Sequence, residues 1–569
     1  MASSQPGKRK YRRPPRQSDA GDSAPPQLTE GWRARLAAEL WPSSAAGRRI
    51  LLAILFAALA LRAYKLVSMF PPLLDESIYL RWAEIIDHQG QWFISLLDGK
   101  EPLSYWVLAL TRKVFGGDPL FEGRALSVVA GLLSTAGMFA LGRRFGGEAA
   151  GLLAAGLYAC FPYALLYDRI AYTEAFVNLF AIAIVLASLW AFEEPGVSWK
   201  RCLAPAFALG LGLFTKQTLL LLAFFPLLAG VWRGRHEPRK AWLGLLLIYG
   251  VAASFVAVSL LMVPEAPTLE AHDALVHSTR FFVQPQELLQ DPFRVAPANL
   301  RKLGGFVWHY LTWPVALAGL ASLGYLAWRR AAGVWVLASA SLLPLLAQVF
   351  VLELMYPSRY PFPHFWPWLV LLAWAGADAW QRWSASLRGS MKPAALTVAG
   401  LLIAGPMLWQ SAGMLRSPGE QLHPEDARNF LGSSAQAGFG VREAADFLIG
   451  QSRSGAFVLL TDPFWGPPAD TLFAYLNERH GIRAYEAWWM QLSDSHVILP
   501  PGEAQVLRSH YERVERGTVD FARPPRVFYV TDTNYSPRGA VRARQPGAQL
   551  AASFPKPGGE QFVDVYRLK

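Results

Sequence analysis

Residues 203–232 read "LAPAFALGLGLFTKQTLLLLAFFPLLAGVW", an apolar run with a single charge, Lys216, at its middle. Read as one span, it buries that ammonium among lipid tails, where an unpaired charge is costly. Read as two short helices meeting at Lys216, it puts the ammonium at a membrane face. The basic loops decide between the two. With the N-terminal tail on the cytoplasmic side, "GRRFGG", "EEPGVSWKR", "RGRHEPRK", "AWRRAAG" and "QRWSASLRGSMK" all fall inside, and each carries Lys or Arg, the asymmetry expected of cytoplasmic loops. A single span through 203–232 places "RGRHEPRK" outside and inverts every later loop. Two helices with Lys216 on the outer face are therefore expected.

That parity organises the chain. Apolar runs near the roughly 20 residues that cross a hydrocarbon core start near Ile50, Ala125, Ala149, Ala175, Leu203, Gln217, Trp242, Phe306, Val334, Phe365 and Ala394, about eleven spans. The composition agrees: 53% of residues are hydrophobic and only 17% charged, against about a quarter charged in soluble domains. The formal charge of +12 comes from the tail and from segments between apolar runs, which reads as topology signals rather than a nucleic-acid face. Residues 1–47 are basic and proline-rich, and are expected to be a disordered cytoplasmic tail. No small-residue cleavage site precedes the first span, so that span is expected to remain as an anchor. Cys160 and Cys202 fall near opposite membrane faces, so no disulfide is expected, and no metal-type Cys/His spacing appears.

The expected class is thus an α-helical polytopic membrane protein with a small C-terminal α/β soluble domain. Residues 48–413 form the membrane domain, with a first outer loop at 70–123 and a second at 264–304. Residues 414–569 form the extracytoplasmic domain. In the first loop, "DESIYLRWAEIIDHQG" has Ile78, Trp82, Ile85 and Ile86 at helical spacing, and "EPLSYWVLALTRKVFG" is a second amphipathic run; both suit helices lying in the interface plane. The tail domain mixes helical patterns, "VREAADFLIGQ" and "ADTLFAYLNERHG", with strand-like "GAFVLLT", "RVFYVTD" and "FVDVYRL". It has neither G-x-G-x-x-G nor G-x-x-x-x-G-K-[ST], so no nucleotide is assigned.

Asp75, Glu76, Lys100, Arg169, Glu174, Lys216 and Arg359 all lie at span ends on the outer face. Each alone has an ordinary reading as charge at a water boundary; their common face is the more specific signal. Lys100 in "DGKEPLSYW" suits a phosphate at headgroup depth, while Tyr105 and Trp106 read as interfacial anchors. "RIAYTEAF" sets Arg169 five residues before Glu174. "YPSRYPFPHFWPWLV" carries Arg359, Tyr360 and His364 in a proline-shaped turn.

Taken in order, "LLDESIYLRWA", "DGKEPLSYW", "RIAYTEAF", "GLGLFTKQ" and "SRYPFPHFWPWLVLL" resemble the C-type glycosyltransferase superfamily, in particular its bacterial branch of aminoarabinose (lipid A) transferases and protein O-mannosyltransferase-like enzymes. The similarity covers roughly residues 48–380, and the Asp-Glu pair and the K-x-P loop are its most telling parts. The resemblance implies a multi-spanning transferase that takes a sugar from a polyprenyl-phosphate carrier to an acceptor outside the cytoplasm, in the inner membrane. It implies that Asp75 is the loop acid and Lys100 a phosphate contact. The family's second acid, usually Asp, falls on Glu174, one methylene longer. The proline-rich turn corresponds to 357–367, where Arg359 meets the phosphate.

These residues support a chemistry in which Asp75 is the base, with Glu76 orienting it or the acceptor and Glu174 as a further catalytic acid. Lys100, Arg169, Lys216 and Arg359, with Tyr79 and Tyr360, form the substrate-binding set. No cofactor is required by this reading, and a divalent metal between Asp75 and Glu174 is the lesser alternative. The expected partners are the carrier-linked donor, the acceptor and the bilayer, without nucleic acid. Two other classes are weighed: a transporter or flippase of a lipid-linked substrate, and a non-catalytic envelope assembly subunit. Gathering of the charges at one interface, rather than mid-membrane in repeated halves, favours the enzyme.

Overall fold

In the computed structural model of the chain, residues 40–193, 197–262, 282–353, 358–384, 391–455, 457–462, 466–476, 483–486, 491–493, 496–498, 526–544 and 546–568 are described. Most of the tail expected at 1–47, residue 263 and residues 264–281 of the second outer loop, 354–357 of the turn before Arg359 and the loop residues 385–390 lie outside them. So do residues 194–196 within "EEPGV" and the last part of "ADTLFAYLNERHG".

Helix α1 (Ala45–Ala63) opens the membrane part. The pair expected to lie at the interface follows, α2 (Leu74–Gln89) and α3 (Leu103–Phe115). Both end in a glycine with positive φ, Gly90 at 68° and Gly116 at 62°, the left-handed cap that a side chain resists. Ile78, Trp82, Ile85 and Ile86 turn inward and are buried. Helix α4 (Pro119–Ala159) is one 41-residue run broken at Gly147 (φ 81°). On either side of the break, a Cβ on Gly142 would meet the Ala150 carbonyl and one on Gly151 the Phe139 carbonyl. The two expected spans are therefore arms of a tight hairpin packed backbone to backbone.

Next come α5 (Pro162–Tyr167), α6 (Glu174–Ala191) and α7 (Trp199–Leu213). At the decisive stretch the chain does break: Lys216 is extended (φ −164°, ψ 131°), a 3₁₀ turn runs over Gln217–Leu222, and α8 (Phe224–Arg233) continues. Helix α9 (Pro238–Leu261) follows. Helix α10 (Ala296–Phe306), with a π turn over Val307–Leu311, meets α11 (Trp313–Trp328) at a bend of 101°. Then come α12 (Val334–Val351), α13 (Trp366–Trp383) and α14 (Met391–Arg416). By length and hydropathy, 5 helical runs among the described residues suffice to cross a membrane, or 6 counting the bent pair. The figure of eleven is not reached on that criterion, because several expected spans are short, kinked or polar at one end. Cys160 and Cys202 are both free and buried.

The chain between α1 and α2 has no helix to satisfy its carbonyls, which burial then makes costly. Arg124 of α4, fully buried, donates to the carbonyls of Leu66 (2.9 Å), Phe70 (3.0 Å) and Pro71 (2.8 Å). Arg169 donates to that of Tyr64.

The C-terminal part holds α15 (Pro424–Leu431), α16 (Val441–Ser452) and α17 (Ala469–Tyr475). Its sheet comprises β1 (Val458–Thr461), β2 (Arg483–Glu486), β3 (Val527–Asp532), β4 (Gln549–Pro555) and β5 (Phe562–Leu568). The order is β2-β1-β3-β5-β4, with β1 parallel to both β2 and β3 and β5 antiparallel to both β3 and β4. Val441, Ala444 and Leu448 of α16 and Leu472 of α17 cover one face together with Phe528, Val530 and Val565. This domain sits directly on α2. Leu73 bridges Ala437, Gly438 N–H donates to the Pro72 carbonyl (2.8 Å), and Thr471 Oγ1 donates to Ser77 Oγ (2.6 Å).

Candidate active site

Asp75 lies in the first turn of α2, where the helix N-terminus favours a carboxylate. Lys100 follows the 3₁₀ turn Ile94–Asp98 and Gly99, whose φ of 61° lets the chain reverse. Its Nζ lies 3.7 Å from Asp75 Oδ1 and 2.6 Å from Asp98. The ammonium also rests over the rings of Tyr79 (5.3 Å) and Trp82 (5.4 Å), one and two turns along α2 from Asp75. Arg359, from the turn before α13, donates to Asp75 Oδ2. Its Nε is 3.8 Å from Glu174 Oε1, and the same carboxylate takes Lys216. Tyr360 lies under Lys216, and Tyr172 under the Arg359 guanidinium.

Five ionisable side chains from five separate segments thus form one row: Lys216, Glu174, Arg359, Asp75 and Lys100. Burial by itself would push the Asp75 carboxyl up, but Arg359 and then Lys100 outweigh it and hold Asp75 well below the usual carboxylate range. Burial would likewise ease the proton off Lys100, but Asp75 and Asp98 reverse this and raise it. With Asp98 beside Lys100, three basic side chains face three carboxylates along the row.

Neighbouring contacts fix its spacing. Glu101 accepts from Gln217 Nε2 (3.0 Å) and from Ser259, and Leu103 N–H donates to the Phe214 carbonyl (3.1 Å). The Lys100 loop is thereby tied to the break that carries Lys216. Gln348 Nε2 donates to the Tyr360 carbonyl (3.1 Å). Beside the row, Tyr79, Ser104, Tyr105, Tyr172, Thr173 and Phe176 contribute to the lining of a hollow between α3 and α4.

Two expected site residues face elsewhere. Glu76 is fully buried and saturated: it accepts from Arg124 Nε (2.9 Å) and Nη2 (2.7 Å), from Leu73 N–H (3.1 Å) and from Ala171 N–H (2.6 Å). It caps α2 and fastens it to α4, and it does not orient Asp75. Arg169 meets the Tyr64 carbonyl rather than the row, and lies near Arg124 and Arg62. It serves the connection between α1 and α2. Asp98, Glu101, Trp82 and Tyr172 join the site without having been expected. For Asp98 the signal was the Asp-Gly turn in "DGK", which returns the chain so that both charges meet.

The space between Asp75 and Glu174 is taken by the Arg359 guanidinium, which bridges the two carboxylates. Among the described residues no group of three or more His, Cys, Asp or Glu side chains is placed to hold a metal ion. The pair does not fit a divalent cation.

Comparison with known proteins gives a consistent picture. Residues 99–260 match the family described as dolichyl-phosphate-mannose-protein mannosyltransferase. The chain is 31% identical over 216 residues to an undecaprenyl phosphate-alpha-4-amino-4-deoxy-L-arabinose arabinosyl transferase of Pseudomonas paraeruginosa, a match spanning 35% of this chain and only 37% of that relative. Among solved structures, it resembles ArnT from Cupriavidus metallidurans bound to undecaprenyl phosphate, with a TM-score of 0.57 and 14% identity, covering 92% of this chain and 98% of that one. It also resembles the Archaeoglobus fulgidus oligosaccharyltransferase AglB in complex with an inhibitory peptide and a dolichol-phosphate, with a TM-score of 0.51 and 10% identity over 94% and 74% of the two chains. The resemblance to C-type glycosyltransferases read from the motifs is borne out, and the fold is shared with these two solved structures.

Proposed function

We propose that this chain is a membrane glycosyltransferase that moves a sugar from a polyprenyl-phosphate carrier to an extracytoplasmic acceptor. The observation that carries the reading is the row itself: three cations and two carboxylates from distant segments, closed on one another at helix ends. The similarity to proteins that bind undecaprenyl phosphate and dolichol-phosphate supports the carrier.

In the resting row, Asp75 occupies the ligand position on Lys100 and Arg359. An incoming phosphodiester takes that position, because its oxygens match a guanidinium fork and an ammonium. Asp75 is then released from the charges that hold its proton affinity down. The acceptor hydroxyl attacks the anomeric carbon and gives its proton to Asp75. The bond from that carbon to the phosphate oxygen breaks, and its electron pair leaves with the phosphate, where Lys100 and Arg359 meet the new charge. One displacement inverts the anomeric centre. A positioned base contributes about 10²–10⁴ in rate, and fixed cations in a site with little water contribute a comparable factor. Glu174 holds Lys216 and Arg359 in register.

The accompanying architecture follows from the basic loops: about eleven spans, a cytoplasmic N-terminus in the inner membrane, and the site and the 414–569 domain outside. Membership of a transporter class is disfavoured because the charges gather at helix ends rather than mid-span. The test is mass spectrometry of envelope glycolipids, polysaccharides and glycoproteins from cells with and without the gene. Loss of one defined sugar is expected; an unchanged envelope combined with altered movement of a lipid-linked solute overturns the reading.

A further inference from the structure

Arg359 follows Ser358, and Ser358 is held on every side. Tyr163 Oη donates to its carbonyl, and Tyr167 Oη lies 2.6 Å from its Oγ. Asp426 in α15 accepts a hydrogen bond from Tyr310 Oη, and the Ser358 hydroxyl is among the groups that act on its carboxylate. Tyr310 is in turn stacked on Tyr163, with ring centroids 4.5 Å apart at 17°, and receives the His423 N–H at 3.1 Å. Ser358, Asp426 and the three tyrosines are all 2% exposed or less. Such a saturated polar cluster has one arrangement rather than several. Asp426 belongs to the segment that leads from α14 into the soluble domain, and none of these groups touches Asp75, Glu174 or the lysines.

We infer that Asp426 is a positioning residue: through Ser358 it sets the backbone from which Arg359 reaches Asp75, and so fixes the seat of the carrier phosphate. The soluble domain then grips both halves of the central ion pair, Asp75 through the Thr471–Ser77 contact under α2 and Arg359 through Asp426. A guanidinium displaced by about 1 Å loses much of its value to a reacting group. This inference rests on the proposed phosphate role of Arg359 only for its effect on turnover; the geometry it asserts is independent of that role.

The experiment is a double-mutant cycle on the full-length protein in detergent, with two readouts. The first is affinity for undecaprenyl phosphate. D426N is expected to weaken binding about 10-fold in the wild-type background and to change nothing further in an R359A background, because the effect runs through Arg359. Equal losses in both backgrounds show a general structural role and overturn the inference. The second is the rate at which phenylglyoxal labels Arg359 in the ligand-free protein, followed by peptide mass spectrometry. D426N is expected to raise it severalfold while labelling of Arg294 stays constant. If wild type binds no undecaprenyl phosphate yet D426N still exposes Arg359, the proposed function fails and the positioning stands. If binding is normal and Arg359 labelling is unmoved, the positioning fails. S358A, which removes only one hydroxyl, takes the place of D426N if that variant does not fold, with the same expectations.

Discussion

Replacing Asp75 with asparagine keeps the side-chain shape and deletes the charge, and the row around it predicts two effects of opposite sign. Neither cation is orphaned: Lys100 keeps Asp98 at 2.6 Å and Arg359 keeps Glu174 at 3.8 Å. The fold should therefore tolerate D75N. Turnover falls by about 10²–10⁴, the usual worth of a positioned base. Carrier affinity, in contrast, rises. Two unit charges at the 3.7 Å of the Lys100–Asp75 pair attract by about 4 kcal/mol at an effective dielectric near 20, and the phosphate no longer has to displace that competitor. Rehydration of the displaced Asp75 carboxylate in the wild type takes back most of that difference, which leaves about 1.4 kcal/mol, or tenfold in Kd. The assay pairs sugar transfer by purified protein with equilibrium binding of undecaprenyl phosphate. A D75N protein that binds the carrier more weakly refutes the idea that Asp75 stands in the phosphate seat, and one with full turnover removes it as the base.

Glu76 tests the opposite case. E76A strands Arg124 in a fully buried site, so a loss of about 3–5 kcal/mol of stability is expected, read as lower folded yield and Tm; an E76A protein of normal stability but no activity would return Glu76 to the chemistry. E101A should loosen the spacing of Lys100 and Lys216 and cut kcat/KM for the donor about tenfold, with Tm little moved, and unchanged kinetics would show the tie to be idle. The pH dependence of Tm separates the two buried aspartates. Asp75 is held below its ordinary value, so its contribution is intact above about pH 4, the unfolded value, and is lost only as pH falls further. Burial pushes Asp426 up to about 6, so its protonated form favours the fold, and that contribution is complete below about pH 4 and lost as pH rises through 6. D426N should flatten the Tm profile between pH 4 and 7, whereas D75N should alter it only in stronger acid.

How much of this was legible in the sequence varies with the range of the interaction. The convergence of Asp75, Lys100, Glu174, Lys216 and Arg359 could be anticipated because each charge borders an apolar run on one face, and the break at Lys216 followed from the basic loops. Glu76 was misread although its helix was foreseen. Adjacent residues on a helix do not share a face, so the turn that aims Asp75 at Lys100 sends Glu76 to α4. Arg169 misled for a related reason: the unsatisfied carbonyls between α1 and α2 that need buried arginines are invisible until the chain is folded. Strand β4, "QLAASFP", carries small and polar residues at a sheet edge and gave no alternating signal. Nothing local announces that Ala437 will meet Leu73, or that Asp426 will meet Tyr310.

That docking changes what the C-terminal region is. A tethered appendage could be traded between relatives at the end of α14, but this one is a saddle on the helix that bears Asp75, with its own residues bonded to that helix and to the chain just ahead of it. A chimera joined there should inherit a mismatched underside to α2 and lose transfer, even with every row residue intact. The exchangeable unit is the C-terminal module together with α2 and the turn ahead of α13, so under the proposed function any change of acceptor has to be accommodated by those three segments moving as one.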